Sequence, residues 1–211
     1  MAWLSGGPYY EISLLVPTPR HRLVNAQRWL TLLSQTPWDI RIEESESQLR
    51  AALHQYAEGE EDSPEVHTLD IRLSMDISGK RKARLFLAEL SPWITKVNFW
   101  FFGGKEDFSQ MGLKGIQEGD KPHFRRFLAD QMMQWEALGG TIGYETDIED
   151  LFEEGPLHAS NSFQPNQLSW LQVKQQILHG FGWEYCLIHP QKWPMAGLPE
   201  VPPGALVELT R

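Results

Sequence analysis

An α+β fold is predicted for this chain: a two-layer α/β sandwich on a mixed or mainly antiparallel sheet, loosely ferredoxin-like in its first half. Three observations predict it. Strand-sized segments alternate apolar and polar residues, most clearly over residues 67–76. There Leu69, Ile71, Leu73 and Met75 point one way, and Thr68, Asp70, Arg72, Ser74 and Asp76 the other. Such strands bury one face only, whereas a doubly wound parallel sheet has strands that are apolar throughout. Segments with apolar residues three and four apart lie between them, as helices packed on one side do. Finally, 211 residues with 41% hydrophobic and 22% charged content suffice to bury a core.

The elements follow in order. Residues 10–16 read as a strand, with Ile12, Leu14 and Val16 on one face, ended by Pro17 and Pro19. Residues 20–34 read as a helix with Leu23, Ala26, Trp29, Leu30 and Leu33 on its stripe. Trp38, Ile40 and Ile42 then mark a second strand. Residues 45–57 form a short helix capped by Ser45, before a polar loop over 58–64. After the strand at 67–76, Ser78-Gly79 makes a break. Residues 80–93 are expected to be helical, on the spacing of Ala83, Phe86, Leu87, Leu90 and Trp93. Residues 96–102 are a strand ended by Gly103-Gly104.

Residues 103–121 are glycine-punctuated and irregular, and are the best place for a subdivision of what otherwise reads as one domain over 1–211. Lys121-Pro122 opens a strong helix, since proline suits a first-turn position, and Gly139-Gly140 is expected to cap its end. A strand at 141–145, an acidic turn at 147–154, a loop at 158–165, a helix at 167–179 and a strand at 183–188 follow. The proline-rich tail after His189 is irregular until an edge strand at 205–209.

Charge and motifs narrow the function. The formal net charge is −9, which does not attract nucleic-acid phosphates. No signal peptide and no membrane-length apolar run stands out, so a cytoplasmic setting without membrane contact is the expectation. The lone Cys186 forms no internal disulfide and no cysteine-based zinc site. It is expected to be a buried structural residue, not a nucleophile paired with His189. The glycines at 103–104 and at 139, 140 and 143 match no phosphate-binding loop. His54 and His67 with Asp70 lack compact metal-ligand spacing. No cofactor, metal or catalytic residue is called for, and the chain leans away from being an enzyme.

Two features remain. Residues 96–102 put Val97, Phe99 and Phe101 on one face and Asn98, Trp100 and Phe102 on the other, so large aromatics sit where a neighbouring strand shows Asp70 and Arg72. The expectation is that the proline-rich tail folds over them; otherwise they form a docking patch. The acidic segment at 147–154 is the second feature. Together they lead to a non-enzymatic protein-binding module of the inhibitor or immunity type that occludes a basic partner. Its candidate contacts are Trp100, Phe102, Glu149, Asp150, Glu153 and Glu154. The alternative is a small hydrolase or transferase acting on a polar metabolite, with His67, Asp70 and Arg72 as its polar site.

Overall fold

The computed structural model describes residues 8–18, 22–59, 62, 66–106, 108–152 and 168–211. Its centre is one antiparallel sheet of eight strands in the order β2-β3-β4-β5-β1-β6-β7-β8. The strands are β1 (Tyr9–Pro17), β2 (Ile40–Ile42), β3 (Thr68–Asp76), β4 (Lys80–Ser91), β5 (Ile94–Phe102), β6 (Gly139–Tyr144), β7 (Trp183–Ile188) and β8 (Val207–Thr210). Helices α1 (Arg22–Gln35), α2 (Glu46–Glu58) and α3 (Lys121–Gln134) precede α4 (Trp170–His179). The α+β sandwich with an antiparallel sheet is therefore the architecture. Its likeness to a ferredoxin-type unit in the first half goes no further than helices laid on one face of such a sheet.

Alternation along the strands sorts the core into two clusters. On the first face, Ile12, Leu14, Ile71, Leu85, Phe99, Phe101 and Ile142 meet Trp29 of α1, Tyr56 of α2, and Phe124, Phe127 and Leu128 of α3. On the second face, Leu15, Cys186, Ile188 and Val207 meet Trp170, Val173 and Ile177 of α4, the turn at Ile148–Leu151, and Trp193 and Met195 of the tail. The first cover runs from β3 across to β7. Among the described residues the second covers the β1-β6-β7-β8 end and reaches Leu90 of β4 and Ile94 of β5.

Local chemistry fixes several ends. Ser45 and Gln48 form the capping box of α2, and Ser169 and Gln172 that of α4. Gly139 and Gly140 do not cap α3, which ends at Gln134; they lie in β6 instead. A Cβ at Gly139 would fall 2.6 Å from the Trp193 ring, and one at Gly140 2.6 Å from Leu128. Glycine there lets both layers approach the sheet.

Residues 80–91 are a strand, not a helix. Arg81, Ala83, Leu85 and Leu87 are buried, while Lys82, Arg84 and Phe86 are half-buried on the opposite face. Ala83, Leu87 and Leu90 satisfy helical spacing as well, but Leu85 would then face away from the stripe. The turn before β4 decides the matter: Ser78 (φ 51°) and Gly79 (φ 99°) both take left-handed backbone, as tight hairpins require. Arg81, within the basic run Lys80-Arg81-Lys82-Ala83-Arg84, is buried. It pairs with Asp120 at 2.8 Å and lies over the Phe124 ring at 5.1 Å. Burial works against the Asp120 carboxylate, but bonds from Ser78 and the Gln117 amide, with Arg81 beside them, pull its pKa to about 2.

Candidate functional site

On its second face the β3-β4-β5 part of the sheet has no helix over it among the described residues. Register sets which side chains are neighbours there. Arg72, Arg84, Trp100 and Glu11 form one row across β3, β4, β5 and β1. Asp70, Phe86, Asn98, Ser13 and Thr141 form the next, reaching β6. Lys96 lies in the row after that, beside Leu15.

Trp100 is half-buried within an aromatic ridge. Phe86 stacks on one side of it, with centroids 5.2 Å apart, and Tyr9 on the other at 5.7 Å. With the ring faces taken, the ridge offers ring edges to solvent. Phe102 continues the ridge and meets Phe108 at 5.9 Å. Phe108 and Met111 are exposed beside it. The tail does not cover this ridge as expected. Trp193 and Met195 are drawn into the second core, and residues from the 103–121 segment reach Phe102 instead.

Beneath the ridge, where the second cover begins, is a buried polar cluster. Glu11 Oε2 accepts the Trp100 indole N–H at 2.9 Å. Lys96 Nζ pairs with Asp147 at 2.7 Å and Glu149 at 2.9 Å, and Asn98 Nδ2 donates to Asp147 at 2.7 Å. Burial raises the Glu11 pKa most, and Asp147 adds to it. Against the opposing pull of Trp100 and Lys96 it reaches about 8, so Glu11 is largely protonated at neutral pH. Burial disfavours the Lys96 ammonium, yet Asp147 and Glu149 outweigh it and hold its pKa above the ordinary lysine value. Among the described residues, Ser13 Oγ, Asn98 Oδ1 and Thr141 Oγ1, consecutive in one row, have no hydrogen-bond partner.

The sequence candidates fall into place unevenly. Trp100 and Phe102 are on the open face. Asp150 is exposed and accepts the Asp147 backbone N–H at 2.8 Å. Glu149 does not belong to a solvated acidic patch: it is 7% exposed and bound to Lys96. The turn at Ile148–Leu151 rolls Ile148 and Leu151 into the second core and carries Glu149 inward with them. Glu153 and Glu154 lie outside the described residues. Glu145, whose N–H bonds the Tyr9 carbonyl at 2.9 Å, adds an exposed carboxylate at the β1 end of the ridge.

The alternative polar site is not assembled. Arg72 is bound by Glu44 at 2.5 Å, Asp70 is paired with Arg84, and His67 is buried with Nδ1 3.0 Å from the Tyr56 carbonyl oxygen. Their polar atoms point to three separate partners. Cys186 is fully buried, and burial pushes its thiol up to about 12, which removes thiolate chemistry at neutral pH.

Glu11, Lys96, Asn98, Phe86 and Tyr9 were not candidates from sequence. A charge at Glu11 inside an apolar strand was the available signal for the first, and the helical assignment of residues 80–93 concealed Phe86. Among the described residues no helix is long and apolar enough to cross a membrane, and no cluster of His, Cys, Asp and Glu is placed to hold a metal ion. No family model, curated protein or solved structure matches this chain.

Proposed function

We propose that this chain is a non-enzymatic, cytoplasmic protein-binding module of the inhibitor or immunity type, which occludes a basic partner with the open face of β3-β4-β5. The observation that carries this reading is the half-exposed ridge of Phe86, Trp100 and Tyr9, with exposed carboxylates at one end that have no cationic partner among the described residues. On the β3-β4 side, charges cancel in pairs: Asp70 with Arg84 and Glu44 with Arg72. On the β1 side, exposed Glu145 and Asp150 have no cationic partner among the described residues, and the net charge of −9 has the same sign. Apolar edges that exclude water set the dissociation rate, while the acidic rim speeds encounter with a positively charged surface.

The test begins with the immobilised protein in an extract of the cells that make it. The captured partner is then purified for calorimetry against wild type, Trp100→Ala and Glu145→Lys/Asp150→Lys. A basic partner whose affinity drops at least about tenfold in each variant, and falls with added salt, supports the reading. A partner that is not basic, or unchanged affinity in both variants, overturns it.

A further inference from the structure

A second site lies away from the ridge, on the first face, where α3 begins beside β6 and β7. Two hollows of about 580 and 530 Å³ share Glu118 and Tyr144 in their walls, so they adjoin along one groove wall. Each is within the size range of pockets for small organic ligands. The first is walled by Lys121, Arg125, Phe181, Glu184 and Arg211. Lys105 stands at the second.

The charges in the groove are unequally spent. Glu184 accepts the Tyr10 hydroxyl at 2.9 Å through one oxygen and pairs with Lys121 at 2.7 Å through the other. Glu118 is bound to the same ammonium at 2.6 Å. Both carboxylates thus share one lysine and are already engaged. Arg125 is different. Its guanidinium lies 4.9 Å over the Tyr185 ring and has no carboxylate partner among the described residues. Arg211 donates through Nη1 to the carbonyls of Gly180 at 2.8 Å and Trp183 at 3.4 Å, and no carboxylate side chain pairs with it among the described residues. A guanidinium over a ring still has N–H groups for a carboxylate or phosphate, which it can grip with two bonds.

Phe181 supplies the apolar part. It is 90% exposed on the connection from α4 to β7, flanked by Gly180 and by Gly182 in the left-handed region at φ 83°. The Gly182 carbonyl accepts the Tyr144 N–H at 2.8 Å, which fixes this connection against β6. The Phe181 ring thus stands at the groove wall, open to solvent.

We propose that this groove binds a small aromatic anion, its phosphate or carboxylate gripped by Arg125 with Arg211 beside it, and its ring laid against Phe181. The site is independent of the protein-binding face, and either can fail without the other.

Phenyl phosphate, inorganic phosphate and benzylamine serve as probes, followed through the indole N–H resonance of Trp183, which lines the groove. Phenyl phosphate is expected to bind saturably below about 1 mM, inorganic phosphate at least about tenfold more weakly, and benzylamine not at all. Arg125→Gln is expected to weaken phenyl phosphate at least about tenfold, and Phe181→Ser to remove its advantage over inorganic phosphate. No saturable shift with phenyl phosphate at about 10 mM overturns the proposal, as does benzylamine binding equally well or an Arg125→Gln variant of unchanged affinity. The comparison of probes on the wild-type protein keeps the test decisive if a variant does not fold.

Discussion

The two ends of the sheet are built from the same alternating strands but are finished differently. Along β6 and β7 both faces are covered, and the second face there and on β8 carries Thr141, Cys186, Ile188, Val207 and closely packed Gly139. At the β2-β3-β4 end, among the described residues, the first face is packed against helices and the second shows half-buried or exposed Asp70, Arg72, Arg84 and Phe86. Between them, along β5 and β1, the second face holds Glu11, Ser13, Lys96 and Asn98, all buried. On the second face the buried charges Glu11, Lys96 and Glu149 are thus gathered at the seam where the second cover stops, while the buried Arg81–Asp120 pair lies on the first face. One end is covered on its second face, the other is not covered there by any described helix, and the Trp100–Glu11 hydrogen bond lies between them.

The sharpest way to break that comparison is at the sealed end. Trp193 is fully buried and lies against Gly139. Trp193→Ala is expected to lower the unfolding free energy by about 3–5 kcal/mol in chemical denaturation. A loss below about 1 kcal/mol would mean that the tail does not seal the second face.

Ion pairs give the next contrast. Lys96→Met strands Asp147 and Glu149 at the seam, where their partner is 6% exposed, and should cost about 3 kcal/mol. Arg84→Gln removes the cation paired with Asp70 on the open face and should cost less than about 1 kcal/mol. Equal losses in urea denaturation would erase the distinction between seam and open face.

Glu11 tests the seam by pH. Its native pKa of about 8 lies above the ordinary 4.5, so folding takes up a proton between those values. The stability from protonated Glu11 is therefore complete below the ordinary carboxylate range and is lost as pH rises towards 8, by about 2 kcal/mol between pH 5 and 7. Glu11→Gln should remove that decline and be the more stable protein at pH 8. Denaturation curves across pH whose wild-type and variant slopes coincide would place Glu11 in a solvated setting instead.

Much of this comparison is legible in the sequence, and the illegible parts share one cause. The alternation over 67–76 and the cap at Ser45 are local signals, and both lead directly to β3 and α2. Residues 80–91 satisfy two periods at once, and only pairing with β3 and β5 selects the strand, a non-local choice. Trp100 and Phe102 stand out from their strand's two aromatic faces. Glu149 does not, because its burial depends on Lys96, 53 positions away (149 less 96), and on a turn that closes over another part of the sheet. Arg81 is hidden for the same reason: a basic run looks solvated until Asp120 is brought beside it.

The division between a sealed end that holds the fold and a half-exposed ridge that contributes little to it is tested most directly by the unfolding free energy of Trp100→Ala. Half-buried between Phe86 and Tyr9, Trp100 should contribute only about 1–2 kcal/mol, well short of the loss in Trp193→Ala. A loss of about 3–5 kcal/mol would make Trp100 a core residue and contradict the account.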